Sequence, residues 1–442
     1  MTSMHEPTAE DEKALVDATA WLLDRLADRE ATMPPAAERP ELTPITEAGV
    51  GIAAAWAELR DIVLPTAIPS DHPRYLAFIP GAPTVAASLG DLILSGASIY
   101  GGSELEAGLV VRAERAALRW LADLLGLPAQ AHGTFTSGGS LANLSALVVG
   151  RHQRRERTGG RPHQIVAAAG VHSSIGAAAD VMGCELILAG SGDGPLTADV
   201  LAASLQRLEL HEVAAVAVTA GATNDGSIDA LDEIADVCAR HQLWLHVDAA
   251  YGGAAMLSPR TRHLFAGIER ADSVTINPHK WLFTPFDCAA LLYRDPDSAR
   301  RTHAQRAPYL ETVVGGDNPS DLAVGLSRRA RGLPLWLSLL ANGAAAYRDA
   351  VEACLDLADR AAEAIRSADH LELLEPRSLS IVVFRRVGWS IADYERWSAQ
   401  AIQDGTGLIT PTRSAGGPAL RLCFVNPLTS TSDIERVLTS LR

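Results

Sequence analysis

The chain has 442 residues, of which 48% are apolar and 21% charged, a composition that is typical of a globular protein and excludes general disorder. Lysine and arginine total 38 against 53 aspartate and glutamate residues, so the formal net charge is −15, and the basic run RHQRRER at 151–157 is short enough to be a solvated helix end. Nucleic acid and anionic membranes are therefore not expected as partners, because both require a cationic face.

The cysteines and the first residues of the sequence indicate a reducing compartment. The five cysteines are scattered and include no CxxC pair, so they are predicted to be reduced, and no metal site is predicted. The opening MTSMHEPTAEDEKALV lacks the basic and apolar regions of a secretory signal, and no stretch approaches about 18 uninterrupted apolar residues. The predicted location is the cytoplasm.

Residues 1–70 are predicted to form a helical extension. Apolar residues recur at helical spacing from 11 to about 28, and the prolines of ATMPPAAERPELTP then end the helix. A second amphipathic stretch, ITEAGVGIAAAWAELRDIVLP, ends at Pro65. The apolar faces of these helices need cover, either from a partner subunit or from the main domain of the same chain.

Residues 71–335 are predicted to form an α/β domain with a mostly parallel central sheet. Apolar or β-branched runs alternate with helical stretches, which is the pattern of a sheet covered by helices on both faces. The runs are QIVAAA, ELILAG, VAAVAVTA, LWLHVD, SVTIN and AALLY. Ligands of such sheets bind where loops leave the carboxyl ends of the strands. Residues 336–442, with a long helical run and then LSIVVFRR and ALRLCFV, are predicted to form a smaller α+β domain.

A glycine- and serine-rich turn runs into a helix in the segment GTFTSGGSLANLSALV at 133–148. The first turn of a helix leaves backbone N–H groups unpaired and carries a partial positive charge, which favours a phosphate. The segment fits neither a P-loop nor a dinucleotide-binding fingerprint. By itself it indicates either a phosphate cradle or a simple helix cap.

Two charged residues follow neighbouring predicted strands. Asp248 ends the run LWLHVD, and Lys280, one of only two lysines with Lys13, follows SVTIN in the segment TINPHKW. Each has a structural alternative, because the aspartate could cap a turn and the ammonium could be satisfied by a buried partner. Together with the phosphate cradle, however, they form the set that pyridoxal 5′-phosphate needs: an amine for its aldehyde, a carboxylate for its ring nitrogen and a helix start for its phosphate.

The segments TSGGSLANLSAL, VHSS, AGATNDGSID, WLHVDAAYGG and NPHKW, in this order and spacing, resemble the pyridoxal-phosphate-dependent group II amino-acid decarboxylases. That family includes the aromatic-L-amino-acid, histidine, tyrosine and glutamate decarboxylases. The resemblance extends from about 72 to 427 and implies fold type I, the aspartate-aminotransferase-like fold, in a homodimer with sites at the interface. It also implies that Lys280 carries the cofactor as an internal aldimine.

The resemblance assigns further residues to the site. Asp248 is implied to pair with the pyridinium nitrogen, Ala250 to lie beneath the ring, and His172 to stack on its other face, although that histidine could otherwise be a helix cap. Thr223 is implied to lie near the cofactor and the stacked histidine. Four positions are implied to surround the phosphate, and these are Gly138, Gly139, Asn277 and His279.

The resemblance also implies that Tyr309, 29 residues after Lys280, protonates the carbanion left by carbon dioxide; relatives without this tyrosine tend toward oxidative formation of an aldehyde. An apolar substrate pocket is expected, and it would suit an aromatic side chain. Its implied residues are Phe78, Pro80, Ile99 and Tyr100, which could equally belong to the core. Two features leave specificity open, because the stretch after Tyr309 is shortened and Arg421 could meet an acidic substrate. A further departure is Leu141, which replaces the family's usual glutamate on the helix surface.

The predicted activity is therefore decarboxylation of an L-amino acid to its amine. The alternatives are another reaction of the same cofactor, such as decarboxylation-coupled oxidation, transamination or carbon–carbon lysis, and a scaffold protein on a degenerate enzyme fold. The presence of Lys280, Asp248, His172 and Tyr309 together argues against the scaffold.

Overall fold

The computed structural model describes residues 5–31, 33, 35, 39–79, 81–190, 194–305, 308, 318–374, 379–414 and 416–442. Two of the predicted site residues, Pro80 and Tyr309, lie outside this described part. Among the residues that are described, no helix is both long enough and apolar enough to cross a membrane.

The amino-terminal segment is helical. It contains α1 (Ala9–Ala27) and α2 (Ile52–Glu58), and α2 continues through a π-helical turn and a 3₁₀ turn to Thr66. Trp21 on α1 packs edge-on against Trp56 on α2, with 6.1 Å between the ring centroids. None of the residues of these two helices is fully buried within the single chain, so their apolar faces stay largely exposed.

Seven strands form the central sheet within the described residues. They are β1 (His132–Thr136), β2 (Gln164–Ala168), β3 (Glu185–Ala189), β4 (Val213–Thr219), β5 (Leu245–Asp248), β6 (Ser273–Ile276) and β7 (Ala289–Tyr293). Their order is β1-β7-β6-β5-β4-β2-β3, and β7 runs in the direction opposite to that of the other six. The mostly parallel sheet is therefore confirmed, and each of the six predicted runs is a strand.

The helices of this part connect the strands and cover the sheet. They are α3 (Val85–Gly96), α4 (Glu104–Ala107), α5 (Leu109–Leu124), α6 (Gly139–Thr158), α7 (Ser173–Met182), α8 (Ala198–Leu205), α9 (Leu231–His241) and α10 (Pro296–His303). All seven residues of β4 are buried, and so are all residues of β2, as expected for parallel strands covered on both faces.

Strand β1 was not predicted, because its sequence HGTFT was taken as part of the turn that precedes α6. Gly133 explains the weak strand signal. A Cβ atom at this position would lie only 1.8 Å from the carbonyl oxygen of Leu291 on β7, so the close approach of the two backbones requires glycine. The turn itself is shorter than predicted and begins after Thr136.

The carboxy-terminal part forms a second, antiparallel sheet. It begins with α11 (Leu333–Arg366), in which Gly343 interrupts the helical backbone with φ 75° and ψ 159°. The other elements are β8 (Leu371–Leu374), β9 (Ile381–Arg386), α12 (Ile391–Gln403), β10 (Pro411–Ser414), β11 (Gly417–Cys423) and α13 (Thr431–Thr439), with strand order β10-β11-β9-β8. On α11, buried residues up to Leu355 pack into the core of the large sheet, whereas those from Leu357 pack under the small one.

The predicted domain boundaries at 70/71 and 335/336 stay predictions. Helix α11 contributes residues both to the core of the large sheet and to the core of the small one. The five cysteines are buried and free, as expected for a chain without disulfides.

Candidate active site

A cavity of about 580 Å³ lies at the carboxyl ends of β4, β5 and β6, where the starts of α6 and α7 meet them. Its described lining contains two charged side chains, which are Asp248 and Lys280. The two are brought together because β5 and β6 are adjacent and parallel, with Asp248 paired in register with Thr275. All nine predicted cofactor residues line this cavity: Gly138, Gly139, His172, Thr223, Asp248, Ala250, Asn277, His279 and Lys280.

Lys280 lies in a turn that follows β6, and its backbone N–H donates to the carbonyl of Asn277 at 2.9 Å. The turn is held firmly from two sides. Gly81 packs so closely on it that a Cβ atom there would lie 2.5 Å from the Lys280 carbonyl oxygen, and the next residue, Trp281, is fully buried and stacked on Tyr251 with 5.3 Å between ring centroids. The backbone that carries the lysine is thus fixed by packing.

The Lys280 amine forms no hydrogen bond or ion pair with any other described residue. The alternative, in which a buried partner satisfies the ammonium, therefore has no support among these residues. Burial lowers the pKa of the amine below its ordinary value, and the negative charge of Asp248 opposes that shift. A larger fraction of the amine is therefore neutral and nucleophilic at neutral pH than for a surface lysine.

Asp248 is the last residue of β5 and is 6% exposed. One carboxylate oxygen accepts from the side-chain amide of Asn143 at 2.8 Å, and the other accepts from the backbone N–H of Ala250 at 3.0 Å. The second bond is of the kind expected for an aspartate that caps a turn. The residue therefore satisfies the turn and still presents its carboxylate to the cavity.

The turn before α6 forms one wall of the cavity. A Cβ atom at Gly139 would lie 3.0 Å from the side-chain nitrogen of Asn277, so glycine keeps this wall open. The Asn277 side-chain oxygen is buried and has no hydrogen-bond partner among the described residues. His279 accepts from the Cys288 backbone N–H through Nδ1 at 3.0 Å, and burial, with the charge of Lys280, lowers its pKa to about 4. This wall offers neutral hydrogen-bonding groups around the start of a 20-residue helix.

His172 is the N-cap residue of α7, and its Nδ1 accepts from the backbone N–H of Ser174 at 3.2 Å. His172 therefore both caps α7 and lines the cavity. Thr223 lines the cavity as well and is half-buried.

Of the predicted substrate residues, the described ones, Phe78, Ile99 and Tyr100, do not line the cavity of the single chain. Phe78 is 57% exposed, and the Tyr100 hydroxyl donates to the Leu326 carbonyl at 3.0 Å. Arg421 donates to the backbone carbonyl of Phe78 and is 9% exposed, so its guanidinium already has a partner. Pro80 and Tyr309 lie outside the described residues.

Several residues of the described lining were not predicted as site residues, among them Asn143, Ser174, Tyr251 and Phe286. Tyr251 could have been noticed, because it directly follows the segment HVDAA. Asn143 gave no signal, since a lone polar residue in LANLSAL does not show which face of the helix it occupies.

A second cavity, of about 560 Å³, lies around Trp244 at the opposite end of β5. Two of the arginines in its lining, Arg154 and Arg157, donate to the Gln242 carbonyl at 3.2 Å each, which closes the end of α9. These two guanidinium groups therefore serve backbone carbonyls, and a third, that of Arg270, pairs with Asp232 and Asp236.

Comparison with known proteins finds relatives over most of the chain. Residues 47–387 match the model of the pyridoxal-dependent decarboxylase conserved domain. The aromatic-L-amino-acid decarboxylase of Bacillus atrophaeus is 32% identical over 389 residues, covering 84% of this chain and 81% of the relative. The L-2,4-diaminobutyrate decarboxylase of Rhizobium meliloti is 33% identical over 420 residues, covering 91% of this chain and 83% of the relative. The crystal structure of Oryza sativa TDC with PLP and tryptamine covers 99% of both chains, with a TM-score of 0.90 and 26% identity.

The environment of Lys280 predicts how its amine titrates in protein without cofactor. Acetylation by acetic anhydride, followed residue by residue with mass spectrometry, should rise with pH and reach half its maximum below the ordinary lysine value of 10.5. Asp248→Asn should move this midpoint to still lower pH, because the charge of Asp248 favours the ammonium. Asp180→Asn, an exposed site on α7, is the control. A midpoint at or above the ordinary value, or one that rises in Asp248→Asn, would contradict this electrostatic description.

Proposed function

Because the chain belongs to the family of pyridoxal-dependent decarboxylases, we propose that it decarboxylates an aromatic L-amino acid and that Lys280 is the residue that binds the cofactor. The protein is an amino-acid carboxy-lyase, and its cofactor is pyridoxal 5′-phosphate. The observation that carries the proposal is the shared cavity, in which an unpaired amine and an oriented carboxylate are the charged groups of the described lining.

The residues of the cavity fit this cofactor. The Lys280 amine is not engaged elsewhere, and Asp248 already has two hydrogen-bond donors that hold its carboxylate in place. The wall at Gly139 is a cradle that a Cβ atom would crowd, and it faces the unsatisfied oxygen of Asn277. Ala250 contributes only a methyl group to the wall, which leaves room for a flat ring.

Each of these groups has a proposed task. Asp248 would hold the ring nitrogen, and the start of α6 with Asn277 and His279 would hold the phosphate. Since the pKa of His279 is lowered to about 4, this imidazole is neutral at pH 7 and contributes hydrogen bonding without a positive charge. Neutralisation of the phosphate then falls largely to the helix start. His172 would cover the opposite face of the ring, with Thr223 beside it.

When bound, pyridoxal 5′-phosphate attaches to an amine through its aldehyde and withdraws the electron pair that a departing carboxylate leaves behind. The Lys280 amine is suited to this attachment because its lowered pKa increases the neutral fraction. The negative charge of Asp248 would stabilise a proton on the ring nitrogen of the bound cofactor. The proton that replaces the carboxylate on the substrate α-carbon is assigned to the hydroxyl of Tyr309, a role that rests on the resemblance alone.

An aromatic side chain is favoured by the charges of the cavity. A diaminobutyrate side chain would need a carboxylate partner, and an acidic side chain would need a cation, because unpaired buried charges are costly. In the described lining the one carboxylate is Asp248, and no arginine is present. One nitrogen of Arg421 donates to the Phe78 carbonyl, and this residue is not part of the described lining. The aromatic ring of Phe286, which is 59% exposed, adds apolar surface at the cavity.

A homodimer is also proposed, because α1 and α3 carry apolar faces that are exposed to solvent in the single chain. Seven apolar residues on these two helices are between 47% and 68% exposed: Leu15, Val16, Leu23, Val85, Leu89, Leu92 and Ile93. Exposed apolar helix faces of this kind are typical of a subunit interface. The exposed side chain of Phe78 would also be available to a second copy.

The substrate proposal is tested by incubating the protein and its cofactor with L-tryptophan, L-tyrosine, L-phenylalanine, L-2,4-diaminobutyrate and L-glutamate, and measuring carbon dioxide, amine, aldehyde and peroxide. An aromatic substrate should give carbon dioxide and amine in equal amounts, with kcat/KM about 100-fold above the charged substrates. Lys280→Ala should abolish turnover, whereas Lys13→Ala, on the exposed face of α1, should not change it. Preference for diaminobutyrate, or aldehyde with peroxide in place of amine, would contradict the proposal.

Sedimentation equilibrium tests the dimer. The measured mass should be twice the 46.7 kDa of the chain. The double substitution Leu89→Glu and Ile93→Glu should yield monomers, because it places charges in the apolar face of α3. Val387→Glu, at an exposed apolar residue after β9, serves as the control and should stay dimeric. A monomeric wild-type protein at micromolar concentration would refute the homodimer.

A further inference from the structure

Asn143, in the second turn of α6, lies at the centre of a buried group of polar side chains. It is 1% exposed, and its amide contacts three residues on two other elements. These contacts are with Asp248 at 2.8 Å, Ser174 at 3.0 Å and His246 at 3.0 Å. His246 and Ser174 are buried as well, so water does not compete for these hydrogen bonds.

The direction of each hydrogen bond follows from the chemistry of its partners. A carboxylate only accepts, so the NH₂ group of Asn143 must face Asp248, and it also reaches the Ser174 hydroxyl. The amide oxygen of Asn143 then faces Nε2 of His246 and accepts from it. His246 therefore carries a proton on Nε2.

The far side of His246 supports the same assignment. Its Nδ1 lies 2.9 Å from the Ser273 hydroxyl, and the indole N–H of Trp244 lies 3.0 Å from the same oxygen. Because an indole nitrogen only donates, Ser273 accepts from Trp244 and gives its own proton to Nδ1 of His246. Burial lowers the pKa of His246 to about 4, against the opposing charge of Asp248, so the ring is neutral at pH 7 and has its single proton on Nε2.

The four links thus form one directed chain from Trp244 through Ser273, His246 and Asn143 to Asp248. Reversing the Asn143 amide would place its oxygen against the Asp248 carboxylate and its NH₂ against the Nε2–H of His246, so both contacts would become repulsive. The tautomer of His246 therefore fixes the orientation of the amide, and the amide fixes the carboxylate.

A branch of the chain reaches the other face of the cavity. The Ser174 hydroxyl accepts from Asn143, which leaves its proton for Nδ1 of His172 at 2.8 Å. Asn143 therefore connects the carboxylate on one side of the cavity with the imidazole on the other.

We propose that Asn143 is a positioning residue for the decarboxylase reaction, held by His246, which orients the carboxylate of Asp248 toward the ring nitrogen of the cofactor and couples it to His172 through Ser174. The inference rests on the proposed function for the roles of Asp248 and His172. The hydrogen-bond chain itself belongs to the protein without cofactor and can be measured there.

Two variants separate positioning from packing. Asn143→Leu keeps the approximate volume and removes every hydrogen bond, whereas Asn143→Asp keeps the shape and replaces the donor to Asp248 with a second carboxylate. Asn342→Leu is the control, since this asparagine on α11 bonds Ser338 through its side chain and lies outside the cavity. Thermal unfolding of each protein without cofactor shows whether it folds.

The direct readout is ¹⁵N NMR of bound pyridoxal 5′-phosphate labelled at the ring nitrogen, with affinity measured by fluorescence titration. In the wild-type protein and Asn342→Leu the ring nitrogen should be protonated. In Asn143→Leu its signal should move toward the unprotonated form. In both Asn143 variants binding should weaken about tenfold, as expected for the loss of one hydrogen bond to a charged group. Wild-type signals and affinity in both variants would overturn the proposal, because a packing role alone leaves the ring nitrogen unchanged.

A second measurement applies even if neither variant folds. In wild-type protein without cofactor, labelled with ¹⁵N-histidine, the signal of His246 is assigned by its loss in His246→Gln. It should show a protonated Nε2 and a bare Nδ1 at pH 7, and a protonated Nδ1 would overturn the hydrogen-bond chain. Failure of the wild-type protein to bind the cofactor would instead refute the proposed function. The histidine signal would still test whether the hydrogen-bond chain exists.

Discussion

The parallel pairing of β5 with β6 is the constraint on which the site depends. Parallel neighbours end at the same edge of a sheet, so the residue that closes β5 and the turn that follows β6 must meet, although 32 positions separate Asp248 from Lys280 in the sequence. Packing then makes the meeting point rigid: Gly81 and the stack of Trp281 on Tyr251 hold the lysine turn from two directions. A reactive amine on such a backbone needs little reorganisation to reach a ligand, which is what catalysis by preorganised groups requires.

The described lining of this cavity contains few charged side chains. The chain carries a formal charge of −15, yet its cofactor is an anion, and the described walls supply one ammonium and no guanidinium. Backbone N–H groups at the start of α6 and neutral side chains take the place of cations, and the pKa of His279 is lowered to about 4, so this ring is neutral as well. The negative charge of Asp248 is then opposed mainly by hydrogen bonds, from Asn143 and from the Ala250 backbone, until a ligand brings a positive ring nitrogen.

The sequence was informative where a pattern had a single physical cause. Fully buried strands such as β4 gave apolar runs that could be located, and the order of strands with intervening helices predicted a parallel sheet whose ligand edge holds Asp248 and Lys280. The sequence was not informative where the role of a residue depends on contacts with residues distant in the sequence. Gly133 weakened the signal of β1 because it accommodates the backbone of Leu291, and Asn143 gave no signal because its partners come from β5 and α7. The exposed position of Phe78 depends on the surface of the fold, which local spacing does not encode. Tyr309 and Pro80 remain predictions from resemblance.

The attachment of the cofactor to Lys280 is tested most directly by chemical trapping, and the composition of the chain makes the result unambiguous. The sequence contains two lysines, Lys13 on the exposed face of α1 and Lys280 in the cavity. The protein is incubated with pyridoxal 5′-phosphate, reduced with sodium borohydride to fix any carbon–nitrogen double bond, digested and mapped by mass spectrometry. The added mass should lie on the peptide that contains Lys280, at close to one group per chain. Label on Lys13 or the amino terminus, or bound cofactor with no label on Lys280, would contradict the assignment of this lysine.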